Sequence, residues 1–125
     1  MNKLLTGLQA IFFPDLCPVC GQVLVAGERG ICLSCRMDMP LTGYERSPLD
    51  NALHERLMCK ARVERAASLF HYERRSPYAR IVHEAKYNGR PSLGRRLMRD
   101  WAESQLVPAG FFAGVDLLVP VPLIY

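Results

Sequence analysis

Two cysteine pairs decide the fold of the N-terminal part of this chain: Cys17-Pro18-Val19-Cys20-Gly21 and Cys32-Leu33-Ser34-Cys35. Eleven residues separate the pairs, which is long enough for a hairpin that brings them together, with Gly27 or Gly30 at its turn. Glycine directly after the first pair allows the tight turn that directs backbone amides toward sulfur. Four thiolates in this arrangement predict a tetrahedral site for one structural zinc ion, with no open position for catalysis.

Two other interpretations of the cysteine pairs stay open. A rubredoxin-like iron site has similar spacing, but it usually has glycine after both pairs, and Arg36 follows Cys35 here. Two separate redox pairs would need a strand-to-helix context that neither pair has. The fifth cysteine, Cys59, is interpreted as a buried or incidental thiol. The histidines have no partner at ligand spacing and are predicted to be structural: His54, His71 and His83.

The cysteine usage also predicts the cellular location. Cys-x-x-Cys pairs are typical of metal binding in a reducing compartment, whereas disulfides are typical of secreted chains. The apolar start of the chain is interrupted and has no cleavage site, so we expect no signal peptide. No apolar stretch reaches the 18 residues or so of a membrane span. We therefore expect a cytoplasmic protein without membrane insertion.

Charge is distributed unevenly along the 125 residues. The formal net charge is +4, yet residues 60–99 hold eleven Lys or Arg against three Glu, a balance of +8, so the rest of the chain sums to −4. Such a basic middle region fits contact with phosphate, in nucleic acid or in a phosphorylated small molecule. A solvated helix face is the alternative. No nucleophile motif, paired carboxylates or phosphate-binding Walker loop is present.

Apolar periodicity predicts a helix before the cysteine pairs, ending at Pro14, from five residues at helical spacing: Leu4, Leu5, Leu8, Ile11 and Phe12. Residues 66–72 form a short apolar run that predicts a strand. A helix is expected from Ser76-Pro77 to the turn signal at residues 88–91.

The remaining elements lie after that turn. A second helix is expected to begin near Ser92, with this apolar stripe: Leu93, Leu97, Met98, Trp101 and Gln105. Pro108 and Gly110 should end this helix. Residues 115–125 begin as a fully apolar strand of the kind that is buried in a parallel sheet.

In this order, the motifs resemble the ComF family, bacterial phosphoribosyltransferase-like proteins that are associated with competence and DNA uptake. Residues 12–21 (FFPDLCPVCG) are similar to the family's N-terminal zinc ribbon. Residues 81–91 (IVHEAKYNGRP) are similar to its helix that ends in Lys-Tyr-x-Gly, and residues 116–123 (DLLVPVPL) to the first core strand of its transferase domain.

This resemblance implies an α+β protein with three parts. The first is an N-terminal helix with a small four-cysteine zinc ribbon at residues 1–39, followed by an irregular linker at 40–65. The third is an incomplete α/β phosphoribosyltransferase-like domain at 66–125, which holds only the first strand-helix-strand part of that fold. The unfinished sheet edge predicts self-association or a protein partner.

The family's phosphate-binding parts are missing from the sequence. Complete relatives have two adjacent acids and a Thr-Thr-Gly loop for phosphoribosyl pyrophosphate, and neither occurs in these 125 residues. We expect a shortened chain, by natural truncation or frameshift, that has no transferase turnover alone. By analogy, Lys86 and Arg90 would face the substrate cleft of a complete relative. With Arg95 and Arg96 they are candidate contacts to phosphate or nucleic acid, the alternative being exposed charges beside a turn.

Two functions therefore remain. The chain is either a ComF-like fragment related to DNA uptake or a free-standing zinc-ribbon adaptor that binds nucleic acid or a protein partner. Complete relatives would bind phosphoribosyl pyrophosphate or single-stranded DNA. Tyr87 and Trp101 could offer stacking surfaces, although the position of Trp101 on the apolar stripe favours a place in the core.

Overall fold

The computed structural model describes residue 7 and residues 11–121, and within them the fold is a cysteine-rich ribbon followed by short helices. Four α-helices have described bounds: α1 (Leu33–Met37), α2 (Ala52–Met58), α3 (Ala79–Lys86) and α4 (Pro91–Trp101). A 3-10 turn spans Tyr44–Arg46, and a π-helical turn spans Ala102–Leu106. The architecture after the ribbon is thus mainly helical.

The helix predicted before the cysteine pairs lies mostly outside the described residues. Leu4, Leu5 and Leu8 are not among them. Ile11 and Phe12 are helical, and their side chains are exposed.

Residues 15–24 form the first hairpin of the ribbon. The amide of Leu24 donates to the carbonyl of Asp15, and that of Cys17 to the carbonyl of Gln22, both at 2.8 Å. Gly21 closes the turn at φ +76°, a left-handed conformation that costs a residue with a Cβ about 1–2 kcal/mol. The glycine after the first cysteine pair therefore has the role that the sequence predicts.

Helices α3 and α4 pack against each other. The turn between them contains Gly89 at φ +70°, and Pro91 occupies the first position of α4, where its missing N–H costs nothing. A Cβ on Gly94 would lie 3.1 Å from the Cβ of Ala85, so this glycine lets the two helices approach closely.

Both helices begin near the predicted positions, with one clear difference. The Ser76 hydroxyl accepts a hydrogen bond from the Tyr78 amide at 3.2 Å, but the two residues that were expected to start α3 form a turn, and the helix begins at Ala79. Helix α4 starts at Pro91, one residue before Ser92.

The apolar stripe of α4 is confirmed at its centre and shifted at its end. Leu93, Leu97 and Trp101 are buried, as predicted, so Trp101 belongs to the core, whereas Met98, which was also expected on the stripe, is 49% exposed. Gln105 is exposed and its neighbour Leu106 is buried instead. The π-helical turn at Ala102–Leu106 has a wider repeat, which moves the buried side of the chain by one residue.

One hydrophobic core joins the ribbon to the helix pair. From the ribbon side it contains Cys17, Val19, Ile31, Cys32, Cys35 and Met39. From α3 and α4 it contains Ile81, Leu93 and Leu97. Because three zinc-ligand candidates belong to this core, the metal site and the helices share one packing unit.

Both predicted strands are absent from the described residues, which contain only isolated β-bridges. In residues 66–72 a single bridge joins Phe70 to Leu41, so the strand expected there is wrong. Of the predicted run at 115–125, residues 122–125 lie outside the described residues; residues 115–121 have no regular structure and are exposed, so the buried strand expected there is also wrong. A strand needs a ladder of backbone hydrogen bonds to a neighbour. Among the described residues, the first run has that one bridge and a separate bond from the Ala66 amide to the Pro48 carbonyl, and the second run has no bridge. The expected strand-helix-strand arrangement is corrected accordingly.

The segment between ribbon and α3 has more structure than the expected irregular linker. Asn51 caps α2, because its side-chain oxygen accepts the His54 amide at 2.9 Å. Its amide nitrogen donates to the carbonyls of Ser47 and Ala66, at 2.8 and 2.9 Å.

None of the described helices is long and apolar enough to cross a membrane.

Gly30 marks the closest approach of the ribbon to α4, and it provides a testable prediction. Its φ is +80°, and a Cβ there would lie 2.8 Å from Cδ1 of the buried Leu93. We expect Gly30→Ala to destabilise the protein by more than Gly27→Ala, which carries comparable backbone strain of about 1–2 kcal/mol at φ +95° but meets no atom within 4 Å. Urea unfolding of the two zinc-loaded variants measures the difference. Equal midpoints would contradict the close ribbon-helix contact.

Candidate metal centre

The structure brings Cys17, Cys20, Cys32 and Cys35 into one cluster, as the spacing predicts. Their sulfur atoms all lie within 4.8 Å of one another. The Sγ atoms of Cys20 and Cys32 are 3.7 Å apart. A tetrahedral site with Zn–S bonds of about 2.3 Å has sulfur-sulfur edges of about 3.8 Å. The cluster therefore fits one structural zinc ion.

Backbone amides surround the sulfur atoms. The Cys32 amide donates to Sγ of Cys17 at 3.5 Å, and the Cys35 amide donates to Sγ of Cys32 at 3.4 Å. Cys32 is also the N-cap of α1, so the second cysteine pair is held by a helix start. Such N–H···S contacts favour the thiolate form, which is the form that binds metal.

The thiols differ in their proton affinity before metal binds. Burial opposes ionisation of Cys17, but hydrogen bonds from the amides of Cys32, Cys20 and Val19 outweigh it and lower its pKa to about 7. Burial, together with the neighbouring thiols, raises the pKa of Cys35. Zinc must displace the remaining protons, so its affinity rises with pH. A site with all four ligands supplied by the protein has a structural role rather than a catalytic one.

Two further side chains support the ligands. The Tyr78 hydroxyl donates to the carbonyl of Cys35 at 2.9 Å and thereby ties the start of α3 to the second cysteine pair. The carboxylate of Glu28 accepts the amides of Leu33 and Val25 at 2.8 and 3.0 Å, and these bonds hold the pKa of Glu28 below its usual range. Glu28 thereby fixes the loop that leads into the second pair. Spacing alone did not identify either residue.

Removal of the Tyr78 hydroxyl tests this support. We expect Tyr78→Phe to lower the free energy of unfolding of the zinc-loaded chain by about 0.5–1.5 kcal/mol, because it removes one partly buried hydrogen bond and keeps the ring. Thermal unfolding at matched zinc concentration measures it. Tyr72→Phe, at an exposed tyrosine, is the control and should leave the midpoint unchanged. A Tyr78→Phe midpoint equal to that of the control would contradict the supporting role.

The fifth cysteine and the histidines, which the sequence predicts not to bind the metal, have ordinary environments. Cys59 is exposed rather than buried and lies outside the sulfur cluster. The ring nitrogen Nε2 of His54 lies 3.0 Å from the Val63 carbonyl, and the His71 ring stacks edge-on with Tyr44 at 5.8 Å. These contacts agree with structural roles.

The basic residues that were predicted as phosphate contacts do not form one group. Arg90 and Arg96 line the same polar cavity, of about 400 Å³, beside the start of α4. Lys86 lines a different, mostly apolar cleft. Arg95 is exposed and lines neither of them. Their role in binding stays a prediction.

A third arginine completes that polar cavity, which we call the arginine cavity. Arg29, from the ribbon hairpin, faces it together with Arg90 and Arg96, and Asp15 and Glu28 are its acidic members. Arg29 is distant in sequence from the basic region, so sequence reasoning missed it.

The comparisons with known proteins agree with the metal centre. Residues 8–46 match the family model described as a double zinc ribbon domain, and this range contains all four cysteines. No curated protein and no solved structure matched the chain. No match to the ComF family or to a phosphoribosyltransferase was found. The chain therefore contains a zinc-ribbon region, similar to the double zinc ribbon family, with a four-cysteine site that fits one structural zinc.

Proposed function

We propose that this chain is a ComF-like zinc-ribbon protein that contacts the phosphates of single-stranded nucleic acid, in the cytoplasm and in connection with DNA uptake. The observation that carries the proposal is the arginine cavity, in which Arg29 from the ribbon hairpin meets Arg90 and Arg96 from the start of α4. The guanidinium group of arginine is cationic and can donate two parallel hydrogen bonds to the oxygens of one phosphate. The motif order along the chain supports the ComF-like part of the proposal.

The charges around the cavity leave cationic groups available. In the described part of the chain, neither Arg29 nor Arg96 forms an ion pair with a carboxylate. Arg90 is 3.9 Å from Glu84, a long contact. The Glu28 carboxylate is already occupied by two backbone amides. An anionic ligand would therefore meet unpaired guanidinium groups.

The basic surface continues along α4. A second groove of about 640 Å³ shares Arg29 and Arg96 with the arginine cavity and adds Arg99 and Arg36. Arg36 is paired with Asp100 at 3.3 Å. Arg99 has no ion pair among the described residues, so it is the one available cation that this groove adds. Two adjoining cavities with shared arginines fit an extended phosphate backbone better than one isolated phosphate. This favours a nucleic-acid strand over phosphoribosyl pyrophosphate as the ligand.

Salt-dependent binding tests the proposal. The zinc-loaded chain is titrated against a labelled single-stranded oligonucleotide of about 20 nucleotides, a length that spans several contacts. Affinity should fall steeply with salt, and Arg96→Ala should reduce the magnitude of the logarithmic slope by about 0.7 and weaken binding at every sequence. Arg95→Ala, on the same helix but outside both cavities, is the matched control.

Three outcomes would contradict the proposal. The first is absence of oligonucleotide binding at low salt. The second is an equal loss of affinity in Arg95→Ala and Arg96→Ala. The third is pyrophosphate release from phosphoribosyl pyrophosphate by the chain alone, since the acidic pair and the Thr-Thr-Gly loop are missing from its sequence.

A further inference from the structure

A small cavity adjoins the groove that holds Arg99, which we call the α4 groove. The cavity has a volume of about 220 Å³, and Arg36 and Asp100 line both the cavity and the α4 groove. Its walls are mostly apolar and include these side chains: Met39, Leu41, Leu69, Leu97 and Trp101. We call it the Trp101 cavity. A ligand that lies along the groove can therefore extend one flat or apolar group into this cavity.

Glu45 places an unpaired carboxylate in the Trp101 cavity. The residue is only 8% exposed, and among the described residues its side chain forms no hydrogen bond and no ion pair. No fully enclosed side-chain oxygen in that part of the chain lacks a partner, so the Glu45 carboxylate keeps access to the cavity that it lines. A carboxylate in apolar surroundings is costly unless donors reach it. The cavity therefore favours a ligand that supplies N–H groups.

The turn that carries Glu45 is held in place by its neighbours. The hydroxyl oxygen of Thr42 accepts the Tyr44 amide at 3.2 Å, and the same hydroxyl donates to the carbonyl of Ser68. The Tyr44 ring packs edge-on against His71 at 5.8 Å. Because these contacts exist without a ligand, binding does not have to order the turn, and the Glu45 carboxylate is already positioned.

Charge and size together favour a neutral heterocycle over a cation in the Trp101 cavity. Arg36 and Arg46 balance Glu45 and Asp100 among its lining residues, and Arg36 is paired with Asp100 at 3.3 Å. A cationic ligand would meet the two arginines, whereas a neutral ring with N–H groups satisfies Glu45 without that repulsion. A cavity of about 150 Å³ holds one benzene ring, so the larger volume here suits one two-ring heterocycle.

Guanine is the nucleobase whose edge matches a carboxylate. Its N1–H and N2–H groups are adjacent donors, and a carboxylate offers two oxygens that only accept. Adenine and cytosine have a ring acceptor beside the amino group, and thymine has carbonyl oxygens on both sides of its N–H, so each would turn a lone pair toward Glu45. We propose that the Trp101 cavity binds one unpaired guanine base of a strand whose phosphates lie along the α4 groove. This inference rests on the proposed function, since the base belongs to the same strand.

Oligonucleotides that differ in one base type test the selectivity. The zinc-loaded chain is titrated with a thymidine strand of about 12 nucleotides and with strands in which every third base is guanine, adenine or hypoxanthine. The guanine strand should bind about tenfold more tightly than the thymidine strand. Hypoxanthine lacks the N2 amino group of guanine, so its strand should lose most of that gain, and the adenine strand should bind like thymidine.

A matched pair of glutamate variants locates the contact. Glu45→Gln keeps the size of the side chain but replaces one acceptor by a donor, so it should abolish the preference for guanine. Glu103→Gln changes an exposed carboxylate on the neighbouring π-helical turn, outside the cavity, and should keep the preference. Both variants remove one negative charge, so each should strengthen binding of all strands by a similar factor.

Trp101 gives a readout that needs no phosphate, because it is the chain's single tryptophan and lines the cavity. Guanosine should change its fluorescence saturably in the parent chain and not in Glu45→Gln, and uridine should have no such effect. Absence of the guanosine effect overturns the proposal.

The strand titrations separate this inference from the proposed function. Equal affinity for all strands overturns the guanine site, and so does a guanine preference that persists in Glu45→Gln. The phosphate contacts stand in either case if Arg96→Ala still weakens binding of those strands. If no strand binds, the phosphate contacts fail, and the guanosine titration alone decides whether the cavity accepts the base.

Discussion

Removal of zinc should unfold the helix pair together with the ribbon. Cys17, Cys32 and Cys35 share one core with Ile81 and Leu93, so release of the ligands opens that core from the ribbon side. Structural zinc contributes about 10–16 kcal/mol in zinc-finger peptides near neutral pH, as much as the whole stability of a small domain, about 5–15 kcal/mol. Chelation should therefore abolish the cooperative thermal transition and most of the helical circular dichroism.

A matched pair of cysteine variants separates the metal site from general thiol effects. Cys35→Ser removes a buried ligand and should reduce bound zinc from one equivalent to well below it, with the same loss of helix as chelation. Cys59→Ser changes an exposed thiol outside the cluster and should keep the metal and the transition. A metal-free chain that still unfolds cooperatively and keeps its helices would contradict the shared core. Iron in place of zinc would be visible as colour.

The cysteine site was predictable because its information is local. Two pairs at fixed spacing, with a glycine that can adopt positive φ after the first, are sufficient to place four sulfur atoms around one ion. The same holds for the turn between α3 and α4, where Gly89 and Pro91 have backbone requirements that few other residues satisfy. The buried positions Leu93, Leu97 and Trp101 follow from helical spacing alone.

The strands could not be predicted in the same way. The apolar runs at residues 66–72 and 115–121 indicate a tendency to be buried, but a strand exists only where a second segment accepts its hydrogen bonds. That partner is a tertiary property. In the described chain the first run pairs through one bridge, and the second stays exposed.

The arginine cavity was only half predictable for a related reason. Arg90 and Arg96 lie in the basic region, which charge counting identifies. Arg29 joins them because the ribbon hairpin packs on α4 at Gly30, a contact between parts of the chain about 60 residues apart. Leu106 is buried where helical spacing predicted Gln105, because the chain forms a π-helical turn there. A repeat of 3.6 residues does not predict that shift.

Leu93→Ala should destabilise the zinc-loaded chain by about 2–5 kcal/mol, the usual cost of a cavity at a buried leucine. Leu93 is 4% exposed, and its Cδ1 lies against Gly30 of the ribbon. If the metal-free chain is unfolded, the same loss must appear in zinc binding, because binding and folding are then one reaction. Since about 1.4 kcal/mol corresponds to tenfold, the apparent zinc affinity should fall by about 30-fold or more.

Competition with a chromophoric chelator measures that fall in affinity, and urea unfolding measures the loss of stability. Met98→Ala is the matched control, since it removes a large apolar side chain from the same helix at a position that is 49% exposed. It should cost less than about 1 kcal/mol and leave zinc affinity within a few-fold of the parent. A Leu93→Ala chain that loses stability but binds zinc as tightly as the parent would contradict the coupling. The ribbon would then fold independently, and the helices would pack on it without supporting the metal site.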